Sequence, residues 1–269
     1  MDRVGSPPRS SLTAFFNQLA TAPQSLLMLD YDGTLSPFQT QRHRAFPYPG
    51  VLGLLQGIAQ CESSRVIIIT GRPIDELQPL IAPLCNIEIY GSYGLEHLLP
   101  SGTYSHDPVA PELAASLIRA QSCLAVTGLG HRAEVKPGGI AIHWRGLPAK
   151  VIDEIQIYAQ TALADFAKIS GLIMFEFDGG LELRVAHPNK EDIVISVLEG
   201  SNSNIAVAYL GDDIADEGSF RILQSRGLTG LVRPEYRDTD AQFWMRPPDD
   251  LIAFLQQWLE CIQSVRTMS

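Results

Sequence analysis

The stretch Leu26-Leu27-Met28-Leu29-Asp30-Tyr31-Asp32-Gly33-Thr34-Leu35 decides the fold. Four consecutive apolar residues with no period-two alternation fit a strand covered on both faces. The run stops at an acid. Asp30 and Asp32 stand two apart, so in extended chain both carboxylates point the same way. One can attack phosphorus while the other manages protons on a leaving group. Gly33 and Thr34 then turn the chain, and the N–H groups of such a turn can cradle an anion. The plainer reading of this segment alone is a surface Asp-Gly turn.

Working outward, three more apolar runs end in the same manner: Val66–Ile69 before Thr70, Ile87–Tyr90 before Gly91, and Ile205–Leu210 before Gly211. Amphipathic helical stripes lie between and beyond them. They are Val51, Leu54, Leu55, Ile58; then Ile193, Val194, Val197, Leu198; then Leu251, Phe254, Leu255, Trp258, Leu259, Ile262, the last after Pro247-Pro248 and an Asp cap. Strand–helix alternation predicts an α/β fold on a parallel sheet, with ligands bound beyond the carboxyl ends of the strands.

The middle of the chain reads differently. Strands there alternate, with Glu134 and Lys136 on one face and likewise His143 and Arg145. Pro137-Gly138-Gly139 and Asp178-Gly179-Gly180 read as hairpin turns, and 112–124 and 149–167 as helices. The expectation is an α+β cap over 102–181 inserted between core segments 1–101 and 182–269, with hinges near Leu98–Gly102 and Gly180–Arg184.

The 269 residues carry 30 acidic against 20 basic side chains, a net charge of −10. That balance argues against general nucleic-acid or anionic-membrane binding. Cys61, Cys85, Cys123 and Cys261 make no C-x-x-C pair, which fits reduced thiols. No apolar run reaches the roughly 18–20 residues of a membrane span, and MDRVGSPPRSS at the start lacks an apolar signal core. The expectation is a soluble, cytoplasmic protein.

A second acidic cluster, Gly211-Asp212-Asp213-Ile214-Ala215-Asp216-Glu217, follows another apolar run. Hard carboxylate oxygens suit magnesium, which takes one or two protein carboxylates plus substrate phosphate; a solvated acidic loop is the plainer alternative. Thr70-Gly71-Arg72 offers a hydroxyl and backbone donors, and Lys190 opens a helix from which it can neutralise a phosphate. Taken singly, Thr70 reads as a helix N-cap and Lys190 as a solvated side chain.

In this order, D-x-D-G-T, the strand-end Thr, the Lys and G-D-D-x-x-D resemble the haloacid dehalogenase-like phosphatases. The resemblance implies a Rossmann-like core and a magnesium-dependent aspartyl-phosphate mechanism. Asp30 would be the nucleophile and Asp32 the general acid and base. Thr70 and Lys190 would hold the phosphate, with Gly33, Thr34, Gly71 and Arg72 lining it. Magnesium would sit on Asp30, the backbone carbonyl of Asp32 and Asp212, supported by Asp213 and Asp216.

Within that class the chain is similar to the trehalose-6-phosphate phosphatases over nearly its whole length. Asp30–Leu35 matches D-Y-D-G-T-L; Gly91-Ser92-Tyr93-Gly94-Leu95-Glu96 resembles G-x-H-G-x-E. Glu134-Val135-Lys136 with His143-Trp144-Arg145 matches E-x-K…H-x-R. Glu182-Leu183-Arg184 with Asn189-Lys190 resembles E-x-R-P…N-K-G. By this resemblance Glu134, Lys136, His143, Arg145 and Glu182 contact sugar hydroxyls, and a sugar-phosphate synthase is the implied protein partner. Tyr93, Val185, Glu191 and Ala215 depart from the pattern. The alternatives are another sugar phosphate (sucrose-phosphate, glucosyl-glycerate or glycerol-phosphate type), or a non-catalytic sugar-phosphate sensor or synthase-docking subunit.

Overall fold

The computed structural model describes residues 9–82, 84–202 and 204–264. The N-terminal stretch read above for a signal core lies mostly outside them. The chain divides into two compact units, a larger one with residues up to Ser105 and from Lys190 onward, and a smaller one, His106–Asn189.

The larger unit is built on an eight-stranded sheet. Its strands are β1 (Gln24–Leu29), β2 (Ser64–Ile69), β3 (Ile87–Gly91), β4 (Glu96–Leu98), β5 (Tyr104–His106), β10 (Ile205–Gly211), β11 (Leu228–Val232) and β12 (Phe243–Met245). The spatial order is β12-β11-β10-β1-β2-β3-β4-β5. From β12 through β3 every pairing is parallel, and β4 joins antiparallel.

Successive side chains on a strand point to opposite faces, and both faces here are covered. Leu27 and Leu29 pack with Leu55, Ile58, Phe254 and Trp258 in one buried cluster. That cluster draws on α1 (Arg9–Leu19), α2 (Val51–Ala59), α3 (Ile74–Ile81) and α8 (Asp249–Ser264). Leu26 and Met28 pack on the other face with Ile193, Val197, Tyr209 and Phe220, which come from α6 (Lys190–Glu199), β10 and α7 (Glu217–Leu223). This two-sided burial is why the strands read as unbroken apolar runs.

The smaller unit holds a four-stranded antiparallel sheet ordered β6 (Ala133–Lys136), β7 (Gly139–His143), β9 (Gly180–Val185), β8 (Leu172–Phe177). With it go α4 (Pro111–Val126) and α5 (Ala149–Leu163). Both hairpin turns form where the glycine pairs stand.

Two expectations are corrected. The second boundary expected at 181/182 cuts through β9, which pairs with β7 and β8, so the smaller unit runs on to Asn189. For the same reason Gly180–Arg184 is an interior strand rather than a hinge, and Leu98–Gly102 turns the chain from β4 toward β5. α8 begins at Asp249 just after Pro247-Pro248, and Asp250 in its first turn accepts the Arg246 N–H at 2.8 Å. Among the described residues no helix is long and apolar enough to cross a membrane.

Candidate active site

β10, β1 and β2 are parallel neighbours, so their carboxyl ends lie side by side. Asp30 follows β1, Thr70 follows β2, and Asp212 follows β10. Asp30 donates its backbone N–H to the Leu210 carbonyl at 2.9 Å, which extends the ladder one step and fixes the carboxylate at the sheet end.

Asp30 is buried. Its Oδ1 lies 2.5 Å from Lys190 Nζ, and its Oδ2 accepts the Thr34 hydroxyl at 3.3 Å. Lys190 also reaches Asp216 Oδ1 at 2.8 Å. The first residue of α6 is therefore a buried ammonium between two buried carboxylates, not a solvated side chain.

Asp216 accepts from all around it. Tyr209 donates its hydroxyl at 2.6 Å, and the N–H groups of Asp212 and Asp213 donate at 3.0 Å each. It thus holds the acidic loop closed and orients Lys190. Tyr209 escapes sequence reading because it sits in an otherwise apolar strand run, yet its phenol is fully buried against this carboxylate.

Asp30, Asp212 and Asp216 offer oxygens that all lie within 4.8 Å of one another. Both carboxylate oxygens of Asp212 are buried without a hydrogen-bond donor. Arg233 Nη1 stands 3.7 Å from Oδ2, beyond hydrogen-bond reach; burying a carboxylate without donors is expensive, and an all-oxygen donor set of this kind suits a hard divalent cation. These residues therefore fit a divalent metal ion. Asp213 Oδ1 accepts the Ile214 N–H at 2.8 Å, capping a short turn.

The charges behave accordingly. Burial pushes the Asp30 carboxyl up to about 6, with Lys190 opposing and Asp216 reinforcing. Burial and the charges of Asp30, Asp216 and Asp213 hold Asp212 well above the usual carboxylate range. For Lys190 burial works against the charged form, but Asp216 and Asp30 outweigh it and keep the ammonium protonated.

The loop after Asp30 is tightly self-bonded. Gly33 adopts φ +88, and a Cβ there would stand 2.3 Å from Asp212 Oδ2. Its N–H donates to the Ser36 carbonyl at 2.9 Å, and the Thr34 N–H to that of Tyr31 at 3.3 Å. Those two amides are bonded inside the loop, and Thr34 contributes its hydroxyl to Asp30.

Thr70 is buried and accepts the Arg72 N–H on Oγ1 at 3.1 Å; α3 takes Pro73 as its N-cap, so Thr70 is not a helix cap. Arg72 was expected to line the phosphate. Its guanidinium grips Asp32 at 2.6 Å through both Nε and Nη2, and Nη1 donates to the Arg42 carbonyl at 3.1 Å. The planar fork of arginine matches the two carboxylate oxygens, which explains the preference. Tyr93, with φ 58, lays its ring against Gly71.

In the smaller unit, the β6–β7–β9 register puts Glu134, Lys136, His143 and Glu182 on one face. Glu134 Oε2 lies 2.6 Å from His143 Nε2, and Lys136 Nζ 2.9 Å from Glu182 Oε1. Arg145 stands beyond the end of β7, where it donates to the Asp178 carbonyl of the β8–β9 turn.

Comparison with known proteins follows the same outline. A probable trehalose-phosphate phosphatase (I) of Arabidopsis thaliana is 25% identical over 258 residues, covering 88% of this chain and 68% of that protein. The C-terminal domain of trehalose-6-phosphate phosphatase from C. albicans superposes with a TM-score of 0.82 at 17% identity, covering 97% of this chain and 99% of that one. A haloacid dehalogenase-like hydrolase from Bacteroides thetaiotaomicron shares the fold more distantly, at a TM-score of 0.61 and 14% identity over 87% of this chain and 99% of that one. The family described as Trehalose-phosphatase matches residues 28–242, from β1 past β11 and through the whole smaller unit. The chain thus belongs to the trehalose-phosphatase family of phosphoric monoester hydrolases.

Proposed function

We propose that this chain hydrolyses trehalose 6-phosphate to trehalose and phosphate, with Asp30 as nucleophile. The observation that carries the reading is the buried Asp30 carboxylate, 2.5 Å from Lys190 and clustered with Asp212. A carboxylate that attacks an anionic ester must be shielded by positive charge.

In the first step an Asp30 oxygen forms a bond to phosphorus and the phosphorus–sugar oxygen bond breaks. Asp32 delivers a proton to the departing oxygen. In the second step water attacks the aspartyl phosphate, the Asp30–phosphorus bond breaks, and Asp32 takes the water's proton. Lys190 and the Thr70 hydroxyl hold the phosphoryl oxygens. A divalent cation held by Asp30, Asp212 and the Asp32 carbonyl would supply further charge neutralisation on the phosphoryl group. The polar face carrying Glu134, Lys136, His143 and Glu182 is the sugar-reading surface in this proposal. Paired carboxylates and cations on one sheet face can meet adjacent hydroxyls.

The test is phosphate release from trehalose 6-phosphate by purified protein with magnesium, beside a panel of other sugar phosphates. Asp30→Asn should abolish release and leave the circular dichroism spectrum unchanged. Release that survives this substitution removes the nucleophile assignment. Turnover of trehalose 6-phosphate no better than of unrelated esters removes the substrate assignment.

A further inference from the structure

We propose that Arg72 acts in this reaction as a positioning residue for Asp32 and not as a ligand of the phosphate; the inference rests on the role proposed above for Asp32.

The geometry is specific. Arg72 Nε reaches Asp32 Oδ2 and Nη2 reaches Oδ1, both at 2.6 Å. Two parallel N–H···O bonds fix the carboxylate plane as well as its place. The Arg72 side chain is 3% exposed while Asp32 remains 32% exposed. The clamp is buried, and the group it holds keeps an open side.

The guanidinium is itself fixed from several directions. Nη1 donates to the Arg42 carbonyl at 3.1 Å, and the plane lies over the Tyr31 ring at 5.5 Å. Its backbone is fixed too: the N–H donates to Thr70 Oγ1 at 3.1 Å, and the carbonyl accepts the Ser92 N–H at 2.8 Å. The hydroxyl held by the Arg72 backbone and the carboxylate held by its side chain are thereby set by one residue. A guanidinium engaged on both donor edges has little left to offer a phosphate.

Chemistry separates the two roles. A phosphate ligand affects every phosphate ester alike. In kcat/KM, which reports the steps through formation of the aspartyl phosphate and not the hydrolysis common to all esters, a residue that places the proton donor affects only esters whose leaving group needs a proton. The sugar alkoxide needs one; p-nitrophenolate, stable as an anion, does not. General acid–base groups contribute roughly 10²–10⁴-fold, so a misplaced donor should forfeit a sizeable part of that.

The experiment measures kcat/KM for trehalose 6-phosphate and for p-nitrophenyl phosphate in the magnesium-loaded wild type, Arg72→Gln, Arg72→Lys, Asp32→Asn and the Arg72→Gln/Asp32→Asn double variant. The ratio of the two values should fall by about 10- to 100-fold in Arg72→Gln, through kcat with KM nearly unchanged. Lysine, a point charge without the fork, should recover only part of it. In the Asp32→Asn background, Arg72→Gln should have little further effect on the sugar ester. An equal loss on both esters, or a full extra loss in the double variant, overturns the proposal and returns Arg72 to the phosphate. Should Arg72→Gln fail to fold, the ratio in Arg72→Lys decides alone: unchanged, it overturns the proposal. If Asp32→Asn lowers both esters equally, the role given to Asp32 fails, an outcome distinct from failure of the Arg72 inference.

Discussion

Lys190 Nζ lies 2.5 Å from Asp30 Oδ1 and 2.8 Å from Asp216 Oδ1, with all three side chains buried. One ammonium therefore balances two carboxylates, and its removal leaves both unpaired. Breaking a buried ion pair on one side costs about 3–5 kcal/mol. Lys190→Met keeps the aliphatic stem and removes the charge. Its urea midpoint should fall by an amount equivalent to that range, and its turnover of trehalose 6-phosphate by about a hundredfold or more. A variant of wild-type stability would mean that the network is not stabilising.

The acidic cluster predicts an inverted pH profile for the cation-free protein. In the unfolded chain Asp30 and Asp212 titrate near ~3.9. In the folded state burial, partly offset by Lys190, raises Asp30 to about 6, and burial with three neighbouring acids raises Asp212. The folded state holds protons that the unfolded chain has released, so stability falls with pH: the Asp30 contribution is full below ~4 and is lost as pH rises through about 6, and the Asp212 contribution declines in the same direction. Melting temperature in chelator should decline over that window. Magnesium favours the ionised carboxylates, so its stabilising increment should grow with pH. Asp212→Asn should raise the chelated melting temperature at neutral pH and abolish the increment. An increment independent of pH contradicts this account.

The parallel core was legible because both faces of each central strand are covered, which turns Leu26–Leu29 and Ile205–Leu210 into unbroken apolar runs. Asp30, Thr70 and Asp212 were legible because each follows directly on such a run. The smaller unit's second boundary was not. Gly-Leu-Glu-Leu-Arg-Val does not state which sheet it joins, and that is settled by pairing with residues some forty positions earlier in β7. The partner of Arg72 is likewise non-local, forty residues away at Asp32.

Gly33 is the position where backbone and site are most directly coupled. Its φ of +88 is strained for any L side chain, and a methyl group would meet Asp212 Oδ2 at 2.3 Å and Phe38 Cζ at 2.6 Å. Strained φ alone costs of order 1–3 kcal/mol. Gly33→Ala should lose at least that in urea unfolding. It should also weaken the magnesium increment, since it displaces a carboxylate assigned to the cation. A folded variant with an unaltered magnesium response would show that Asp212 can move without consequence.

Glu182 tests the sugar-reading face independently of the phosphoryl chemistry. Its carboxylate lies 2.9 Å from Lys136 Nζ, and Gly139 leaves it room, since a Cβ there would stand 2.8 Å from Oε1. Glu182→Gln keeps the shape and loses the charge that orients the ammonium. If this face reads the sugar, KM for trehalose 6-phosphate should rise by about tenfold, the value of one charge-assisted contact. Constants for p-nitrophenyl phosphate, which lacks the sugar, should stay within about twofold. An equal change on both esters would indicate that the pair serves the smaller unit's fold, and a matched fall in its melting temperature would identify that origin.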